Sequence, residues 1–95
     1  THKVTDYLVK AGLLVALGEL ENLRGNYKRS RYYYSEALLF FKKIGCKRGE
    51  AYTLLGLGRL EYYVSNFNSA KVLYQQALEA TTRDPKCEAT ILHNL

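Results

Sequence analysis

The sequence predicts an all-α chain built as stacked antiparallel helical hairpins, two complete and a third begun. Three observations carry this. One unit occurs twice at an offset of forty residues, apolar residues recur every three to four positions, and Gly, Asn and Pro stand where hairpins would turn. Ala11 to Phe41 overlays Ala51 to Thr81 without gaps, with ten identities in 31 places, including Leu14/Leu54, Leu17/Leu57, Gly18/Gly58, Glu21/Glu61, Asn26/Asn66 and Tyr34/Tyr74. Most of the shared residues are small or apolar, which suits stacking and leaves function to the positions where the copies differ.

The elements follow in order. Leu13, Leu14, Leu17 and Leu20 place a first helix over Thr5 to Arg24. Arg24-Gly25-Asn26 breaks it, and Asn26 is a favoured N-cap for a second helix from Tyr27 to Ile44, closed by Gly45. The same pattern predicts a third helix from Lys47 to Val64 and, after Val64-Ser65-Asn66, a fourth from Phe67 to Arg83, ended by Asp84-Pro85. A last helix is expected from Lys86 onward, and within it the string ATILHNL from Ala89 starts another unit, with Leu92 and Leu95 where Leu54 and Leu57 stand. The repeats are therefore read as residues 5–44 and 47–83, with a partial third over 86–95, in one domain spanning 1–95.

This spacing resembles the tetratricopeptide repeat (TPR) family. Leu14-x2-Leu17-Gly18 and Leu54-x2-Leu57-Gly58 correspond to the opening of the family's first helix, Ser30-x3-Tyr34 and Ala70-x3-Tyr74 to its second, and Ala37-Leu38 and Ala77-Leu78 to its closing pair. The forty-residue offset exceeds the family's roughly 34 and looks like the long-repeat variant of signalling scaffolds and multidomain regulators. Glu21 and Glu61 replace the usual Tyr, and Leu14 and Leu54 the usual Trp, so Tyr27 and Phe67 are expected to supply aromatic packing. The resemblance implies a TPR-type α-solenoid and a piece of a longer array.

With 47% hydrophobic and 24% charged residues the composition is that of a folded, water-soluble domain, which excludes a mainly disordered chain. No apolar run approaches the roughly 20 residues that span a bilayer, and no leader pattern precedes the first helix. The expectation is an intracellular, cytoplasmic protein with no membrane partner, in which Cys46 and Cys87 are reduced thiols. His2 and His93 stand apart, there is no Cys-x2-Cys, and Gly56-Leu57-Gly58 lacks the Lys-Ser/Thr of a phosphate loop. The chain is expected to be no enzyme and to need no cofactor or metal.

What remains is surface. In TPR arrays the first helix of each hairpin lines a concave groove. Counting away from the packing residues gives Gly12, Val15, Glu19 and Asn22, then Tyr52, Leu55, Arg59 and Tyr62, then Thr90 and His93. This mixture suits an extended or helical peptide with one charged anchor. Val15, Glu19 and Leu55 stand where the family's chaperone-tail clamp carries Lys and Asn, so no acidic chaperone tail is expected to bind.

The charge is lopsided. Residues 1–49 hold ten Lys/Arg against four Asp/Glu, net +6, and residues 50–95 have a net of −1. Lys28, Arg29 and Arg31 crowd a helix start, which the macrodipole disfavours, and Tyr32, Tyr33 and Tyr34 follow. The alternative function is a basic convex surface that docks nucleic acid or an acidic partner. The sequence thus points first to a non-catalytic protein-interaction module, part of a scaffold or regulator. A final helix bearing Ile91, Leu92 and Leu95 without a hairpin partner is further expected to promote self-association.

Overall fold

The computed structural model describes residues 2–81, which form four helices: α1 His2–Leu23, α2 Tyr27–Ile44, α3 Lys47–Tyr63 and α4 Phe67–Glu79. α1 packs antiparallel on α2 and α3 on α4, α2 lies against α3, and α1 and α3 touch only sparsely. The two hairpins thus stack as the sequence predicts. α1 starts earlier than Thr5, since no Gly or Pro interrupts the chain before it, and α4 ends at Glu79. Arg83, Asp84-Pro85 and the third unit with its apolar Ile91, Leu92 and Leu95 lie outside the described residues.

The first three helices stop by one device. Gly25 (φ +80°), Gly45 (φ +71°) and Ser65 (φ +69°) turn left-handed. The next residue's N–H then reaches back five positions: Asn26 to Glu21 O at 2.8 Å, Cys46 to Phe41 O at 2.9 Å and Asn66 to Glu61 O at 2.8 Å. This satisfies carbonyls that the helix end leaves open. Asn26 and Asn66 do precede α2 and α4, but neither side chain caps its helix. Their Nδ2 groups donate instead to the buried carboxylates of Glu21 (3.0 Å) and Glu61 (3.1 Å). The helix-ending acid, read in sequence only as a departure from Tyr, is the better acceptor for that amide.

The core is small and centred on Tyr34, which is 1% exposed and packs with Ala37, Phe41, Leu57 and Leu60. Its ring occupies a slot between helices: a Cβ at Gly18 would lie 3.0 Å from the Tyr34 ring, and one at Gly56 2.8 Å. Ser30 Oγ donates to Gly18 O at 2.7 Å and ties α2 to α1 at the same level. In the second hairpin Tyr74 lies over Gly58 and Ala70 replaces the serine. Tyr27 is half-buried against the core as expected, whereas Phe67 is 57% exposed and stacks edge-on with Tyr62.

Three expectations change. Leu17 and Leu20, read as packing residues, are exposed together with Leu13, although their counterparts Leu57, Leu60 and Thr53 are buried beneath α2. No described element lies on that face of α1. Val15, placed in the groove, is 6% exposed and belongs to the core cluster with Tyr34, Ala37 and Phe41 of α2, the helix against which α1 packs. Cys46, expected as a free thiol, is buried and disulfide-bonded; Cys87 lies outside the described residues. Among the described residues no helix is long and apolar enough to cross a membrane.

Close packing at glycines gives a first measurable outcome. A methyl at Gly49 would run into the Phe41 ring, so Gly49→Ala should lower stability by about 1 to 3 kcal/mol, as should Gly18→Leu and Gly58→Leu. Ser65→Gly, which relieves a left-handed non-glycine, should raise it by about 1 kcal/mol. Denaturant melts of the variants check both signs.

Candidate protein-interaction groove

Because α1 and α3 are held apart by α2, a concavity opens between them, with Tyr34 as its floor. It encloses about 300 Å³ and is lined by Glu19, Asn22 and Leu23 of α1, Arg59 and Tyr63 of α3, and Tyr27 and Tyr34 of α2. Glu19 and Arg59 occupy the same repeat position with opposite charge, as do Leu23 and Tyr63 with different bulk. Tyr52 Oη donates to Glu19 Oε2 at 3.3 Å, so the two first helices are also bridged above the floor. Asn22 Oδ1 is buried without a hydrogen-bond partner among the described residues. A buried carbonyl oxygen left unpaired is costly, and the residue that carries it lines the cavity.

The electrostatics of the floor follow from burial. Tyr34 is pushed from 10.0 up to about 12, first because its ring and hydroxyl leave water, then because the Glu19 charge opposes a phenolate; Arg59 acts the other way. Below the floor, burial alone would raise the Glu61 carboxyl, yet hydrogen bonds from Asn66 and Arg31 and the Arg31 charge hold it below its ordinary 4.5. Arg31 reaches it from the other hairpin through Nη2 at 2.7 Å and Nε at 3.1 Å.

The expected site residues are split among three places. Glu19, Asn22 and Arg59 meet in the groove, with Tyr52 at its edge. Tyr52 and Leu55 also line a larger apolar hollow of about 540 Å³ on the far face of α3 and α4. Tyr62 points away, into a hollow with Phe67, Lys71 and Tyr74. Gly12 is exposed, Val15 is buried, and Thr90 and His93 lie outside the described residues. Tyr63, Leu23 and Tyr27 were missed. From Arg59 both the third and the fourth residue on share its helix face, and the helix rotation that brings Tyr63 rather than Tyr62 into the groove is set by the Tyr34 contact, which sequence spacing does not show.

The basic cluster is engaged chiefly at Arg31. Arg31 pairs with Glu61 at 2.7 Å, Arg29 lies 3.8 Å from Glu21, and Lys28 is exposed. Glu21 and Glu61 thus offset much of the charge that the sequence crowds at the start of α2. Among the described residues no three His, Cys, Asp or Glu side chains gather as a metal site requires.

Two antiparallel helical hairpins, stacked in one sense and leaving their first helices along an open concavity, define an α-helical repeat module. The chain belongs to the tetratricopeptide repeat family, whose sequence pattern it matches over residues 10–83. Repeats of this family mediate protein–protein interaction. No curated protein and no solved structure matches the chain significantly.

Two titrations carry opposite signs. Glu61 titrates lower in the folded chain than its ordinary 4.5, so its stabilising contribution is present above that value and is lost as pH falls through the folded-state pKa. Glu61→Gln should remove this acid-side slope. Tyr34 is raised, so its contribution is complete below pH 10.0 and is lost as pH rises toward 12. Measured against Tyr34→Phe, the melting temperature of the parent chain should fall as pH rises from 7 into that alkaline range.

Proposed function

We propose that the concavity between α1 and α3 is the docking groove of a non-catalytic interaction module and takes a peptide, extended or helical, that carries one charged anchor. The observation that supports this most is the unpaired Asn22 Oδ1 beside the cavity, flanked by Glu19 and Arg59. Once the Asn22 amide turns into the cavity, a peptide N–H can donate to that oxygen while a charged side chain pairs with Arg59 or Glu19, and Tyr63, Tyr27 and Leu23 give apolar area around them. Such a groove pairs a few polar fixing points with an apolar surround. A module of this kind serves within a scaffold or regulatory protein.

The competing function, a basic convex surface for nucleic acid or an acidic partner, is disfavoured because Arg31, at the centre of the cluster, is already hydrogen-bonded to Glu61. A single-stranded oligonucleotide bound with a steep salt dependence would restore it.

The groove is tested on a peptide selected from a display library against the parent chain. Arg59→Ala, Asn22→Ala and Tyr63→Ala should each weaken its binding about tenfold, or about 1.4 kcal/mol, without loss of helicity by circular dichroism. Tyr62→Ala should leave the affinity unchanged, since that side chain lines another hollow. Equal affinity for all four variants would remove the groove from consideration.

A further inference from the structure

We propose that the groove selects a peptide with two opposite charges, a base that docks on Glu19 of α1 and an acid that docks on Arg59 of α3, so that the order of the charges decides the direction in which the peptide lies. This selectivity rests on the docking groove proposed above and names what that groove recognises. Its origin is a pair of opposite charges that line one cavity and stay apart.

Glu19 and Arg59 are the charged residues of the cavity lining. Elsewhere the chain pairs its buried acids: Glu21 lies 3.4 Å from Arg24, Glu50 3.5 Å from Lys47 and Glu61 2.7 Å from Arg31. Among the described residues Glu19 forms no ion pair, and Arg59 forms neither an ion pair nor a hydrogen bond. A ring keeps them from each other. Tyr34 fills the slot left by Gly18 and Gly56, one residue before Glu19 and three before Arg59, and so spaces the two walls at that level. Beyond the effect of burial, the Tyr34 hydroxyl feels both charges, Glu19 raising its pKa and Arg59 lowering it. Both fields therefore reach the floor of the cavity.

Each wall is open to a ligand. Glu19 is half-buried, and its Oε2 accepts from Tyr52 Oη at 3.3 Å, which orients the carboxylate and leaves Oε1 for a lysine or arginine head. Arg59 is exposed and presents a planar fork of N–H donors that matches a carboxylate. α1 and α3 both run antiparallel to α2, hence in the same sense, so a peptide that crosses the groove meets one wall and then the other. A single charge leaves one wall unused. Two charges in the wrong order set like against like at both walls. Exposed ion pairs are individually weak, whereas like charges brought together in a partly desolvated groove are strongly disfavoured. Discrimination therefore comes more from rejecting the reversed order than from attracting the right one. Tyr27, Tyr63 and Leu23 line the same cavity and can cover the apolar stems of the two charged side chains.

Charge exchange on both sides tests it. Peptides selected from a display library against the parent chain should carry one base and one acid in a fixed order. Exchanging the two within a selected peptide should weaken binding at least about tenfold, and the gap should narrow as ionic strength rises. The double variant Glu19→Arg with Arg59→Glu, checked for parental helicity by circular dichroism, should prefer the exchanged peptide by a similar factor. Glu19→Gln and Arg59→Gln, which change charge with little change of shape, should each shrink the gap between the two peptides, and they decide the matter if the double variant does not fold. Equal affinity of the parent chain for both peptides, an undiminished gap in both glutamine variants, or a folded double variant with the parental preference overturns the proposal and leaves the groove standing. Binding that is unchanged in Arg59→Ala, Asn22→Ala and Tyr63→Ala alike removes the groove itself, and this selectivity with it.

Discussion

Tyr34 sits where the two hairpins become one body, and the rest of the arrangement depends on that contact. α1 and α3 hardly touch each other, so their relative placement passes through α2, and the Tyr34 ring is the group that meets both. The slot for it consists of two missing side chains, at Gly18 and Gly56. Glycine inside a helix costs about 1 kcal/mol relative to alanine. That cost is offset by burying an aromatic ring whose removal from a core is worth about 3 to 5 kcal/mol. The same ring forms the floor of the groove, so the spacing of the groove walls and the integrity of the core are one property.

The buried acids are the second constraint. Moving a carboxylate out of water is unfavourable unless hydrogen bonds and a counter-charge replace the lost hydration. Each hairpin meets this with an asparagine five residues on, whose backbone N–H ends the helix while its side chain binds the acid. The counter-charge differs between the two. Glu21 is flanked by Arg24 and Arg29 of its own hairpin, whereas Glu61 receives Arg31 from the neighbouring one. The first acid therefore stabilises a turn and the second also fixes the register in which hairpins stack. Neither role needs the Tyr that the family usually carries there.

Much of this was legible in the sequence. Repeat offset, helix periodicity and the Gly and Asn punctuation gave four helices, the hairpin turns and the family, because those features depend on neighbours along the chain. The site was legible only in part. Glu19, Asn22 and Arg59 were found by counting along a helix face, but Val15 and Tyr62 were misplaced because helix rotation is decided by contacts between helices, such as those of Tyr34 with Gly18 and Gly56, which spacing within one helix does not show. The exposure of Leu13, Leu17 and Leu20 was hidden for the opposite reason: identical spacing in α1 and α3 says nothing about which copy has a neighbour on that face. The state of Cys46 was equally beyond spacing arguments, since pairing is a matter of geometry and surroundings.

The shared and unshared positions divide the labour between them. Where the copies agree, at Gly18/Gly58, Tyr34/Tyr74 and Ala37/Ala77, the residues face the interior or the joint between helices. Where they disagree in the concavity, the change is in charge at Glu19/Arg59 and in aromatic area at Leu23/Tyr63. Two walls with the same backbone and opposite chemistry make the groove polar along the stacking direction. A ligand that pairs a charge with one wall and lays apolar area on the other then has only one favourable orientation. Repetition supplies the scaffold, and specificity in the proposed groove comes from the few places where the repeat is broken.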